Sequence, residues 1–190
     1  MDSPIEILLH VARLLDEQSI SYVAVGSVVS SLYGDSRATA DVDIVADIKV
    51  EQIPQLLAAL QERFYVDEQA MHRAVRNRRL FNAIHFDSLF KVDIYVLPPD
   101  GFNEQQLARR QPATLLPDSA QAVYLASPED VILAKLRWYR QGGKVSERQL
   151  ADVVGVIKVQ SDRLDVKYLR EWADKLSVRD LLDKALNESL

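Results

Sequence analysis

Asp41 and Asp43 stand one residue apart within the apolar run DVDIV, and Asp93 stands within KVDIYV. In an extended strand, residues i and i+2 project from one face, about 6.5–7 Å apart. Asp41 and Asp43 therefore point the same way, with Val42 and Ile44 facing a core. Asp93 holds the matching place between Val92 and Ile94. Adjacent carboxylates repel, and a strand that buries them needs a cation to offset the cost. Hard oxygen donors suit Mg²⁺, which takes one or two carboxylates together with substrate phosphates. If the two strands pair side by side, three carboxylates gather on one patch of sheet. Such a patch can hold two divalent ions about 3.5–4 Å apart, an arrangement that serves in-line displacement at phosphorus. Asp93 is then the natural general base, or the ligand nearest the nucleophile. The plainer alternative is a solvated strand face, with Asp93 paired to Lys91 or an arginine.

Gly26-Ser27 supplies a second kind of group. The pair ends the β-type run YVAV and precedes a helical run, so its backbone N–H groups and the helix N-terminus form an anion site. Gly26 permits close backbone approach, and the Ser27 hydroxyl can donate to a phosphate oxygen. Arg37, four residues before Asp41, either adds a guanidinium beside the phosphates or pairs with Asp35 as an ordinary loop residue.

These residues need elements to hold them. Ser3-Pro4 with Glu6 opens an amphipathic helix carrying Ile5, Leu8, Leu9, Ala12 and Leu15. Strands are expected over 22–25, 41–46, 83–86, 91–96 and 122–125, and helices over 27–33, stopped by Gly34, and 51–63. Pro98-Pro99-Asp100-Gly101 reads as loop. Ser127-Pro128-Glu129-Asp130 carries the signals of a helix start, and from there on only helical periodicity is seen, with a break at Gly142-Gly143. The expected fold class is α+β: a mixed β-sheet flanked by helices over 1–126, followed by an all-helical part over 127–190 packed on it.

The 190 residues suffice for a sizeable core, and a hydrophobic fraction of 48% is ordinary for a soluble protein. The absence of cysteine excludes disulfides and thiolate metal sites. The N-terminal run MDSPIEILLHVARLLDE carries acids where a secretory leader needs a basic lead, and no run is apolar enough to span a bilayer. The expectation is a soluble cytoplasmic protein. A net charge of −5 argues against broad nucleic-acid binding, but the segment HRAVRNRR at 72–79 carries four arginines and no acid.

Val25-Gly26-Ser27, thirteen residues, Asp41-Val42-Asp43-Ile44 and the later Val92-Asp93-Ile94 resemble the signature of the DNA polymerase β-type nucleotidyltransferase superfamily. The wording Arg37-x-Thr39-x-Asp41-x-Asp43, together with SPEDVILAKLRWYR and SERQLADV, resembles a bacterial branch that includes abortive-infection and toxin–antitoxin nucleotidyltransferases. The resemblance implies a nucleotidyltransferase fold and Mg²⁺-dependent transfer of a nucleoside monophosphate from an NTP to an acceptor hydroxyl, with release of pyrophosphate. It implies that Gly26 and Ser27 hold the triphosphate, that Asp41 and Asp43 bind two metal ions, and that Asp93 binds the catalytic metal and helps deprotonate the acceptor.

The remaining candidates each have two readings. Lys135 reaches the β- or γ-phosphate from the helical half, or lies on a solvated helix face. The 72–79 segment lines an acceptor site for tRNA or another polyanion, or is an exposed helix balancing Asp67 and Glu68. Arg148 and Asp152 suit a helix-face ion pair, and Trp138, Tyr139 and Trp172 suit packing of the helical half. The acceptor stays open among a small molecule, tRNA and a protein hydroxyl. Two competing functions are a toxin–antitoxin component acting mainly by binding an antitoxin protein, and an NTP-binding module without turnover.

Overall fold

The computed structural model describes residues 2–35, 39, 41–117, 121–142 and 147–189. The described chain divides into two compact units. The first holds residues up to Val28 and from Thr39 to Ala126; the second holds the rest, and the break falls inside a helix.

The first unit is built on a seven-stranded mixed sheet in the order β3-β4-β5-β2-β1-β7-β6. Its strands are β1 (Tyr22–Val25), β2 (Asp41–Ala46), β3 (Phe64–Val66), β4 (Leu80–His85), β5 (Lys91–Val96), β6 (Gln111–Thr114) and β7 (Ala122–Leu125). The β2–β5 and β1–β7 pairs are parallel and the others antiparallel. Helix α1 (Pro4–Glu17) begins in a capping box: Ser3 Oγ accepts from the Glu6 N–H, and Glu6 accepts from the Ser3 N–H at 2.7 Å. It buries Leu8, Val11, Ala12 and Leu15 and packs against β1, β2 and β7. Helix α2 (Gly26–Tyr33) leaves β1 directly. A 3₁₀ turn at Val50–Gln52 leads into α3 (Ile53–Gln61), which packs on β3 and α1. Helices α4 (Glu68–Asn77) and α5 (Gly101–Ala108) complete the unit.

The strands show the parity that their sequences imply. Phe81, Ala83, Val92, Ile94, Val42 and Ile44 are buried, while Leu80, Asn82, Ile84 and Asp41 are exposed. The apolar face fixes register, because a slip of one residue would turn every buried side chain outward.

The second unit takes up α2 from Val29 and adds α6 (Pro128–Gln141), α7 (Glu147–Gln160), α8 (Val166–Lys175) and α9 (Arg179–Glu188). Ser127 caps α6, accepting from the Asp130 N–H, and Asp165 caps α8, accepting from the Tyr168 N–H. Val131, Leu136, Val153, Val156, Leu169 and Leu182 form its core. Gly34 sits so close to the α7 backbone that a Cβ would come within 2.8 Å of the Val156 nitrogen.

Candidate active site

Parallel pairing of β2 with β5 sets Asp41 opposite Lys91 and Asp43 opposite Asp93. The four side chains thus form a two-by-two array on one sheet face. Exposure falls across it: 53% for the Asp41 side chain, 41% for Lys91 and 10% for Asp93. Lys91 Nζ lies 2.9 Å from Asp93 Oδ2 and 3.9 Å from Asp41 Oδ1. Its hydrogen bond to Asp93 holds the ammonium above its ordinary pKa against the opposing pull of burial, with further support from the charges of Asp93, Asp41 and Asp43. On the other side, Asn82 of β4 is paired with Asp93 and donates its side-chain N–H to Oδ1. Tyr95 follows Asp93 along the same face; burial, then the charges of Asp43, Asp93 and Asp41, push its phenol up to about 12.

Gly26 joins this array to α2. Its φ is +72°, a conformation that costs an L side chain about 1–2 kcal/mol. A Cβ there would fall 2.0 Å from Asp43 Oδ2. The sequence alone suggests a glycine that lets a phosphate approach; in the structure, the group already against it is the Asp43 carboxylate. That carboxylate therefore lies beside the first turn of α2, at the positive end of the helix dipole. Ser27, half-buried, is the second residue of the same turn.

No protein-family model matches the chain, and no curated protein matches it in sequence. Solved structures do. An antigenic nucleotidyltransferase-like protein from Paracoccidioides brasiliensis superposes with a TM-score of 0.59 at 21% identity, covering 97% of this chain and 92% of that one. The chain has a nucleotidyltransferase-like fold. ANT(2'')-Ia in complex with adenylyl-2''-tobramycin gives 0.57 at 12% identity over 92% and 97% of the two chains. The lincosamide antibiotic adenylyltransferase LnuA, bound to lincomycin, gives 0.54 at 10% identity over 84% and 98%. The nucleotidyltransferase-like fold agrees with the superfamily whose signature the Gly-Ser and aspartate motifs resemble. At these identities, likeness establishes fold, and the chemistry rests on the side chains.

On this nucleotidyltransferase-like fold the three carboxylates share a face, but not as a ready metal cage. Among the described residues, no three His, Asp or Glu side chains converge on a single ion position. Both Asp93 oxygens are turned to neighbours, one to Lys91 and one to Asn82. The donor set still fits a hard divalent ion. It consists of carboxylate oxygens, it already draws a cation, and that cation sits on a side chain exposed enough to turn away.

Lys135 belongs to the second unit, where its ammonium donates to Asp152 at 2.7 Å and to Gln149 at 3.4 Å. It is buried, 5% exposed, which corrects the solvated-face reading. Asp152, expected to pair along its own helix with Arg148, accepts from Lys135 of α6. Trp138, expected to pack, is 56% exposed. Arg37 lies outside the described residues. In α4, Met71, Ala74 and Val75 face inward while Arg73, Arg76, Arg78 and Arg79 are exposed at and beyond its C-terminal end. Arg78 takes a left-handed conformation, φ +50°, as the helix cap. Among the described residues, no helix is long and apolar enough to cross a membrane.

Lys91 was legible as a partner of Asp93, being two residues away on one strand. Asn82 was not, because its place opposite Asp93 depends on a cross-strand register that no local pattern carries.

Proposed function

We propose that this protein transfers a nucleoside monophosphate from an NTP to a hydroxyl of a small-molecule acceptor. The observation that carries the reading is the Asp43–Asp93 register beside the N-terminal turn of α2. It puts groups able to hold a triphosphate next to a carboxylate able to take a proton.

In this reading the acceptor oxygen bonds to the α-phosphorus as the bond from that phosphorus to the β-bridging oxygen breaks. Pyrophosphate leaves with that electron pair. The acceptor proton passes to Asp93, the most buried of the three carboxylates. Asn82 fixes the rotation of Asp93 through Oδ1, which leaves Oδ2, paired with Lys91, as the oxygen to take the proton once the ammonium turns away. Ser27 and the α2 N-terminus receive phosphate oxygens. Asp41, Asp43 and Asp93 would hold Mg²⁺, which when bound neutralises the phosphates and makes the acceptor hydroxyl more acidic. A small hydroxylated acceptor is supported by the ligands of two proteins of similar fold, adenylyl-tobramycin with ANT(2'')-Ia and lincomycin with LnuA.

A second acceptor class has one observation in its favour. Four exposed arginines cluster around the end of α4, which leads into the strand carrying Asn82. That cluster suits a polyanion such as tRNA.

One experiment tests both. The protein is incubated with Mg²⁺ and each labelled NTP, alone, with a panel of aminoglycosides and lincosamides, and with total tRNA. Pyrophosphate release and label transfer are followed. Release that depends on a small hydroxylated compound supports the first reading, and label on tRNA the second. Equal activity of the wild type and Asp43→Asn overturns both.

A further inference from the structure

Lys91 is the one cation among the described side chains within hydrogen-bond distance of Asp93, and it comes from the adjacent position of the same array. Its ammonium bridges carboxylates of two strands, Asp93 of its own and Asp41 of β2. Strand parity puts it there: residue 91 shares a face with residue 93, and the parallel register sets it opposite residue 41. Three carboxylates with no counter-charge would repel across this patch.

We propose that Lys91 is an internal counter-ion that competes with divalent metal for the carboxylate array and leaves it when metal enters with the nucleotide. The inference rests on the reading of Asp41, Asp43 and Asp93 as a metal site. A divalent ion seated on Asp93 Oδ2 would lie at close range to the Lys91 ammonium, 2.9 Å from that oxygen, and the two positive charges would repel. A divalent ion must therefore displace the ammonium, and the cost of breaking that pair is subtracted from its affinity. Lys91 is 41% exposed, so its stem can swing into water without unpacking a core. A metal ion arriving alone has only the carboxylates to offset that cost. One arriving on a triphosphate also gains the phosphate contacts at the α2 N-terminus. Lys91 thereby makes the site weak for free metal and favours loading by the metal–nucleotide complex. No proton need move; the exchange is one cation for another.

The test measures metal binding without turnover. Mn²⁺ affinity is determined by electron paramagnetic resonance on nucleotide-free wild type, Lys91→Met and Lys91→Arg. Melting temperature is recorded for each in EDTA and in saturating Mn²⁺. Lys91→Met is expected to bind Mn²⁺ about tenfold more tightly, the order of change for removing a partly screened charge at contact distance. It should melt below wild type in EDTA and recover in Mn²⁺, whereas Lys91→Arg should behave as wild type. A side chain that merely packs would lower the melting temperature equally in both conditions and leave Mn²⁺ affinity unchanged, which overturns the proposal. If neither wild type nor Lys91→Met binds Mn²⁺ at all, the metal-site reading itself fails and the proposal falls with it.

Discussion

Two groups of acidic side chains in this molecule are held in opposite ways. In the helical unit, Asp130 is fully buried and accepts from the Ser127 hydroxyl at 3.0 Å and the Tyr168 hydroxyl at 2.6 Å. Glu129 accepts from the Asp165 backbone N–H, and Asp152 is closed off by Lys135, with exposures of 11% and 6%. On the sheet face, Asp41 and Lys91 stand about half open to water, and Asp93 is held by Lys91 and Asn82. Both groups offset their charge. In the first, the partners are a helix-cap hydroxyl, a backbone N–H, a tyrosine hydroxyl and a buried lysine, all carried by helices or their caps. In the second, Asp93 has the fixed amide of Asn82 on one oxygen and a flexible, partly exposed ammonium on the other. An acid that serves the fold is closed by fixed donors, and one suited to work is closed by a donor that can be exchanged.

The contrast yields predictions of decreasing size. Asp43→Asn should lower nucleotidyl transfer by about 10³-fold while leaving the chain folded, read by pyrophosphate release alongside circular dichroism. Comparable transfer would mean that the sheet acids, like the helical ones, serve structure. Gly26→Ala should cost both properties. The added Cβ meets Asp43, and the φ of +72° strains the backbone, so stability should fall by about 1–2 kcal/mol in urea titration and transfer by a further, larger factor. Tyr168→Phe takes one donor from buried Asp130 and should cost about 1–3 kcal/mol, with transfer per folded molecule unchanged. Loss of rate at full stability would erase the distinction between the two groups.

The smallest effect is on pH. The Tyr95 phenol is held up at about 12 in the folded protein, against about 10 unfolded. A raised acid pKa gives stability that is complete below the unfolded value and is lost as pH rises through the folded one. Stability should therefore decline from about pH 10 upward, and the decline should be shallower in Tyr95→Phe, as seen from urea midpoints at about pH 9 and about pH 11.

Much of the sheet was legible because alternation is a local property. The strands Asp41–Ala46 and Lys91–Val96 lie where their apolar residues place them; parity put Asp41 and Asp43 on one face, and the parallel pairing of β2 with β5 brought Asp93 to it. Phe64–Val66 is too short to show a period, and Gln111–Thr114 contains Pro112, which suits only the edge of the sheet that it occupies. Asp100-Gly101 read as loop, yet Asp100 is the N-cap of α5, accepting from the Asn103 N–H at 2.8 Å. The residues that make a turn also start a helix, and only the stretch C-terminal to them decides between the two. The array was half legible: its acids and Lys91 follow from strand parity, whereas Asn82 depends on β4 beginning at Leu80, outside the expected 83–86.

The parallel register of β2 and β5 carries one more consequence. Val42 and Ile44 are locked into the interior alongside Val92 and Ile94, and the aspartates between them have no freedom of their own. A single-residue insertion or deletion within either strand would expose the apolar row and invert the acidic one together. Indel scanning of these strands should therefore yield unfolded chains rather than folded, inactive ones. The array is protected from drift by the same residues that would aggregate if it moved.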